Sequence, residues 1–341
     1  MTATLKIIDP GLHTTIQDRG RLGFQSAGVP VSGALDLDSL AIANALVGNA
    51  LDEAALEIRY SGPTLLINSD WALIALTGTS ASLAISGDGE SRSLPSYRSI
   101  RLKRGSRIAV PALGDSATAY IAIAGGLEIA SVLGSRSTYV RGGFGGFKGR
   151  SLQAGDEIPL RSESAGDRNE LVLSTPPALT LPSSIRAVAG PQSEHFTAEA
   201  LEIFTSSDWR IGEKVDRMGM RLEGSKLEHR HGYDIVSDGI VTGSIQVPGS
   251  GRPIILLADR QTTGGYPKIA TVISSDLGAV GRARIGGILC FHMVTAAEAQ
   301  MIREKHVLRQ KQLLAAITPV STFMIDKLYR ENLISGVYGD N

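Results

Sequence analysis

The chain has 341 residues, 43% of them hydrophobic, which is enough to pack one large domain or two of ordinary size. Its 34 lysines and arginines balance 34 aspartates and glutamates, so no net field draws it to nucleic acid or to an anionic membrane. A single cysteine, Cys290, excludes an internal disulfide and a four-thiolate zinc site.

The opening residues Met1-Thr2-Ala3-Thr4-Leu5-Lys6 have no basic region leading into an apolar stretch. Apolar runs such as Trp71 to Leu76 are too short to cross a bilayer, so a cytoplasmic enzyme or enzyme subunit is expected. The first clear element is a helix over about Leu37 to Val47, with Asp36 as its N-cap and Gly48 able to end it in a left-handed conformation. Leu37, Leu40, Ala41 and Asn44 fall on one face of it. Short β runs then follow: Leu56–Tyr60, Thr64–Asn68, Trp71–Thr77, Ser82–Ser86 and Ala119–Ala124. Between Arg161 and Ser184 the composition turns to Ser, Pro, Asp and Glu, which reads as a join between domains. Beyond it come Arg186–Ala189, Ile254–Ala258 and Ile269–Ser274, then a helix from Ala296 to about Leu314. Short strands at this spacing, among 39 glycines and few aromatics, predict a mainly β protein with a few helices, built as barrels or sandwiches. The expected division is a mainly β domain over 1–175, a β-barrel domain over 185–295, and a helical tail over 296–341.

Chemistry concentrates where the buried-looking strand Ile254–Ala258 runs into Asp259-Arg260-Gln261-Thr262-Thr263-Gly264-Gly265-Tyr266-Pro267-Lys268. Lys268 can neutralise a carboxylate or phosphate, Arg260 can clamp one in a fork, and Asp259 can act as a base or hold magnesium. Gly264 and Gly265 let the backbone approach a ligand. The same composition suits a tight hairpin whose polar groups satisfy one another, and the residues alone leave both readings open. Upstream, Gln246 adds an amide on a second turn. Asp18 and Arg19 form an acid–base pair on a loop, a substrate anchor or a local brace. Asp18-Arg19-Gly20-Arg21-Leu22 is faintly echoed by Asp216-Arg217-Met218-Gly219-Met220-Arg221-Leu222. The glycine-rich segment Arg141–Arg150 lacks the Gly-Lys-Ser/Thr ending of a P-loop and reads as a structured loop. His229 and His231 share a face only on a strand and have no evident third ligand, so no metal site is expected. His13 reads as a core or loop histidine, and Cys290 as inert packing within a strand.

Taken in order, Asp9-Pro10-Gly11, Gln17-Asp18-Arg19-Gly20-Arg21, Gly28-Val29-Pro30, Ser32-Gly33-Ala34-Leu35-Asp36, Ala43-Asn44, Val47-Gly48-Asn49, Glu57, Ala124-Gly125-Gly126, Leu133–Tyr139, Asp216–Gly219, Ile245–Pro248 and the run from Asp259 to Lys268 make a joint pattern. It resembles the allophanate hydrolase subunit 2 family, also called the biotin-dependent carboxyltransferase family, over roughly residues 5–295. Members include the C subunit of bacterial 5-oxoprolinase, the KipA antagonist protein, and part of the carboxyltransferase domain of urea carboxylase. The resemblance implies cyclophilin-like β-barrel modules and a subunit 1 or B-type (KipI-like) partner. Of these members, the C subunit of 5-oxoprolinase is the nearest likeness, an enzyme that opens a lactam at the expense of ATP.

That reading implies a small amide or lactam substrate, an A-type subunit as a further partner, and ATP with magnesium at the level of the complex. Asp259, Lys268 and Arg260 are then the catalytic candidates. Gln246, Gln261, Thr262, Thr263, Gly264, Gly265, Tyr266, Arg217, Asn44, Asp18 and Arg19 are the substrate-binding candidates. Two other readings share the family. One is carboxyl transfer from carboxybiotin carried on another chain, and the other is a non-catalytic regulator that binds a KipI-like inhibitor. Gly281-Arg282 and Ile285-Gly286-Gly287 depart from the family's usual Ala-Gln and Pro-Gly-Asp.

Overall fold

The strand Thr118–Ile123 is buried along its whole length because it separates two cores. Ala119, Ile121 and Ile123 face a core enclosed between two sheets, whereas Tyr120 and Ala122 face the helix α1 (Leu37–Leu46) on the other side. The protein is described from a computed structural model over residues 3–87, 90–161 and 168–320.

Two antiparallel sheets enclose the larger core of the first half. One orders its six strands as Glu157–Pro159, Thr4–Asp9, Thr64–Ile67, Arg107–Ala109, Leu83–Gly87 and Glu90–Leu94. The other orders five as His13–Gln17, Ala55–Arg59, Thr118–Ile123, Trp71–Thr77 and Ser99–Lys103. Helix α1 lies on the outer face of this second sheet and also meets α3 (Leu277–Arg282) and α4 (Ala296–Ala315). Covered on several sides, it buries Leu40, Ala41, Ile42, Ala43, Asn44 and Leu46, so the single apolar stripe expected from its sequence is replaced by burial almost all round. Leu37 is the departure from that stripe and stays 51% exposed. Asp36 caps α1 as expected, accepting from the amides of Asp38 and Ser39 at 3.2 and 3.3 Å, and Gly48 follows the helix at φ +70°.

The second half is built on one eight-stranded sheet. Its order is Ile288–Leu289, Trp209–Val215, Gly219–Glu223, Ile254–Leu256, Ser244–Gln246, Lys268–Val272, Ile185–Ala189 and Phe291–Met293. The two edge strands are separated in the chain by Cys290 alone, so chain continuity draws the edges together and nearly closes the sheet into a barrel. Trp209, Ile211, Met220, Leu222, Ile245, Ile255 and Ile269 fill it. Phe204 of α2 (Ala198–Ser206) stacks on Phe291 at 4.5 Å between centroids. The mainly β architecture with few helices therefore stands as read from the sequence.

Two segments differ from expectation. After α4, which starts with a Thr295–Glu298 capping box, the chain forms the strand Ile317–Pro319 rather than more helix. That strand pairs with Leu171–Leu173, inside the stretch read as a join, and thereby returns the chain to the first half. Residues 162–167 of the join and 321–341 of the expected helical tail lie outside the described residues. Among the described residues no helix is long and apolar enough to cross a membrane.

The halves meet through polar groups. Arg282 pairs with the α1 cap Asp36, Arg59 donates to Gly281 O at 2.8 Å, and Ser32 N donates to Ala258 O at 3.1 Å. Arg282 thus ties α3 to the start of α1.

Candidate functional site

Five-residue alternation in Ala55-Leu56-Glu57-Ile58-Arg59 sends Leu56 and Ile58 into the inter-sheet core and leaves Glu57 and Arg59 on the opposite face. On the neighbouring strand His13 lies directly across from Arg59, and Thr15 across from Glu57. This charged face meets the second half at Arg217 and Asp259. His13, Arg59, Arg217 and Asp259, together with Leu12, Tyr60, Val140, Arg141, Asp216 and Met218, line a cleft of about 500 Å³, a volume suited to a small molecule.

Arg217 is the centre of the site. Its Nε and Nη2 donate to the two carboxylate oxygens of Asp259 at 2.9 and 3.1 Å, and Nη1 donates to Glu57. Nη2 also donates to Gly33 O at 2.6 Å. Glu57 is completed from behind by Tyr120 Oη at 2.6 Å and Leu35 N at 2.8 Å. Burial costs Arg217 its hydration, but Asp259 and Glu57 outweigh that loss and hold its pKa above the ordinary arginine value. Burial, reinforced by Glu57, keeps the Tyr120 phenol far above its ordinary pKa, so it stays a donor. Burial also lowers the pKa of His13, helped by the charge of Arg217 and opposed by Glu57. A neutral imidazole and an oriented carboxylate therefore face the same cleft, an arrangement able to hold an amide and move a proton. Arg59 donates to neutral oxygens, Thr118 Oγ1 at 2.5 Å and Gly281 O, and so keeps charge to offer an anion.

The structure divides the other candidates. Arg217 and Asp259 come together. Arg260, next in sequence, is buried away from that pair, with Nε donating to Ile240 O at 3.3 Å and Nη1 unpartnered. Lys268 and Gln246 sit apart from the cleft, under the short pairing of Asp238–Gly239 with Thr263–Gly264: Lys268 Nζ binds Asp238 at 2.7 Å, and Gln246 Nε2 donates to Tyr266 O at 3.2 Å. Thr263 and Gly264 pair with Gly239 and Asp238, Thr262 O and Gly265 O accept from Ile240 N and Ile235 N, and Gln261 and Tyr266 are exposed. Asn44 is fully buried and braces the turn after α1, donating to Glu53 O at 2.8 Å and accepting from Asn49 Nδ2 at 3.2 Å.

Asp18 gathers Gly20 N, Ser135 Oγ, Ser137 Oγ and Arg136 N at 2.5–2.8 Å, and so fastens one loop to another. Arg19 is exposed, 3.9 Å from Asp52, beside a second cleft of about 560 Å³. The echo between Asp18 and Asp216 has a structural counterpart. Each carboxylate accepts from the amide two residues on, at 2.8 and 2.7 Å, but the following arginine is exposed at position 19 and buried at 217. Cys290 is half-buried between the edge strands, with Sγ 3.0 Å from Asp208.

Glu57, Arg59, Tyr120 and His13 are cleft or cleft-supporting residues that sequence reasoning did not single out as site residues. For Glu57 and Arg59 the signal was present, as two charges at i and i+2 in a strand otherwise apolar.

The family model "Carboxyltransferase domain, subdomain A and B" matches residues 27–293. The chain is 35% identical over 301 residues to the C subunit of 5-oxoprolinase from Escherichia coli, covering 88% of this chain and 94% of that protein. To the C subunit of 5-oxoprolinase from Haemophilus influenzae it is 34% identical, covering 91% of this chain and 97% of that protein. Among solved structures, the K. lactis urea amidolyase superposes with a TM-score of 0.82 at 28% identity, over 92% of this chain. The chain spans 20% of that much longer protein. With a family model over most of its length and relatives matched nearly end to end, the chain belongs to the carboxyltransferase-domain family of subdomains A and B.

Proposed function

We propose that this chain acts as the C-type subunit of an ATP-dependent 5-oxoprolinase, an amide-bond hydrolase, and that the Arg217–Asp259 cleft is its substrate wall. The observation that carries the reading is the fixed Asp259 carboxylate facing neutral His13 in a cleft between the halves, in a chain about 35% identical to two 5-oxoprolinase C subunits. An unactivated lactam is a poor electrophile. Transfer of the ATP γ-phosphoryl group to its oxygen, with release of ADP, opens the ring carbon to water; the C–N bond breaks as the nitrogen takes up a proton, and a second water frees phosphate. Asp259 accepts the lactam N–H, Arg59 faces the substrate's anionic oxygens, and His13 relays a proton at the ring nitrogen. Arg217 has its nitrogens committed to Asp259, Glu57 and Gly33, so it positions Asp259 rather than meeting a phosphate itself.

Among the described residues no cluster of three His, Cys, Asp or Glu forms a metal cage, and ATP and magnesium are assigned to the assembled complex with B-type (KipI-like) and A-type subunits. Mixing the chain with those partners and measuring 5-oxoproline-dependent ATP hydrolysis tests the reading. Glutamate and ADP in equal amounts are expected, and an assembled complex without turnover overturns it.

The fold likeness to urea amidolyase favours one second reading, carboxyl transfer to a urea-like nitrogen from biotin on another chain. Under it, turnover requires bicarbonate and a biotinylated partner and does not require 5-oxoproline.

A further inference from the structure

Lys268 is a buried cation whose counter-ion stands at the surface. Its residue is 2% exposed, whereas the side chain of its partner Asp238 is 48% exposed. The Asp238 carboxylate is held by three donors. Oδ2 accepts from Lys268 Nζ at 2.7 Å and from Gln192 Nε2 at 3.1 Å, and Oδ1 accepts from Gly239 N at 2.7 Å. Lys268 Nζ also donates to Gly239 O at 3.2 Å, and Gln192 Oε1 accepts from Lys268 N at 3.3 Å, which fixes the glutamine beside the ammonium. A buried ammonium must keep an anion close, because losing one costs the full desolvation of the charge. Nothing requires that anion to come from the protein.

The segment that delivers Asp238 lies at the surface and is attached at few points. Residues 230–239 are almost entirely exposed, Val236 to 93%. Arg230 N to His195 O at 2.6 Å anchors its start, and Ile235 N to Gly265 O and Ile240 N to Thr262 O, both 2.9 Å, hold it to the segment 262–265, with the two-residue pairing of Asp238–Gly239 against Thr263–Gly264. Beneath it lies Gln246, 2% exposed. Gly264 leaves the loop room to sit close, since a Cβ there would stand 2.6 Å from Ile240 Cδ1 and 2.7 Å from Gln246 Nε2.

We propose that Lys268 and Gln192 form a carboxylate-binding site for a small molecule, occupied here by Asp238, and that a ligand carboxylate displaces Asp238 and releases the flap 230–239. The exchange is non-covalent. Lys268 Nζ and Gln192 Nε2 pass from one carboxylate to another, the Gly239 amide leaves with the flap, and Asp238 goes to water. Under the oxoprolinase reading its ligand is a second molecule of 5-oxoproline, which carries a carboxylate, apart from the one in the Arg217–Asp259 cleft; the cradle itself does not depend on that reading.

The test uses the full chain with Asp238→Ala and acetate as the probe. Stranding Lys268 lowers Tm by about 4 °C or more. Acetate then restores Tm in a saturable manner, while chloride at equal ionic strength does not. The double variant Asp238→Ala/Lys268→Met shows no acetate response. Acetate acting no better than chloride, inorganic phosphate acting better than acetate, or an equal response in the double variant overturns the proposal.

Should Asp238→Ala fail to fold, hydrogen exchange of the wild-type amides of Ile235 and Ile240 serves instead. Titration with acetate speeds their exchange beyond what chloride does at equal ionic strength, and exchange no faster in acetate than in chloride overturns the proposal. A reconstituted complex without oxoprolinase turnover leaves the acetate result standing, whereas a missing acetate response beside full turnover removes only the cradle.

Discussion

Arg217 donates from Nη1 to Glu57, 160 positions away in the chain, and so locks a strand of the first sheet to the barrel of the second half. All four groups around the guanidinium, Glu57, Asp259, Gly33 O and Tyr120 behind Glu57, are buried. The pair is therefore both a structural joint and the back wall of the cleft.

Removing this cation strands two buried carboxylates. Arg217→Met is expected to cost about 3–5 kcal/mol, and Arg217→Lys much of the same because an ammonium cannot serve three directions in one plane. Urea unfolding checks both. A Lys variant as stable as wild type would show that the planar fork is dispensable.

His13 makes stability depend on pH in a defined direction. Its folded pKa lies below the ordinary value of 6.5, chiefly through burial, so the unfolded chain takes up a proton first as pH falls. The contribution is full above about pH 6.5 and is lost as pH falls from there through the folded pKa. Urea midpoints at pH 7.5 and 5.5 should converge more closely in His13→Asn than in wild type.

Asp36 serves two partners, the first turn of α1 and Arg282, and its pKa is held low by Arg282 and Ser39 against the opposing effect of burial. Asp36→Ala loses the cap and strands Arg282, whereas Asp36→Asn keeps a capping oxygen. The expected order of thermal stability is wild type, then Asn, then Ala, with the cap itself worth about 1 kcal/mol. Equal losses for both substitutions would contradict it.

Gly33 combines φ +82° with a position where a Cβ would stand 2.8 Å from the backbone of Arg19 and Gly20. Its carbonyl also receives Arg217. Gly33→Ala should therefore destabilise the fold and disturb the cleft together, seen as a lower Tm and weaker substrate saturation in the complex.

The strands were legible because alternation and turn residues are local. The reading of Trp71–Thr77 coincides with the observed strand, and Ile254–Ala258 and Ile269–Ser274 overlap theirs. The site was legible only as a polar run. Asp259 and Arg260 lie in a tight turn in which Arg260 N donates to Leu257 O, and nothing in their order tells which of the two side chains meets the first half. His13 and Tyr120 gave no signal because their place depends on strand pairing, His13 against Arg59 and Tyr120 against Glu57. Burial all round α1 was hidden for a similar reason, since its neighbours α3 and α4 lie more than two hundred residues downstream in the chain.

The central claim rests on Asp259 as the oriented carboxylate of the cleft. Asp259→Asn keeps the side-chain shape and leaves Arg217 paired with Glu57, so assembly with the partner subunits should persist. The decisive measurement is 5-oxoproline-dependent ATP hydrolysis by the assembled complex carrying Asp259→Asn. A loss of turnover of about 100-fold or more with assembly intact is the predicted result; turnover equal to wild type would contradict the account.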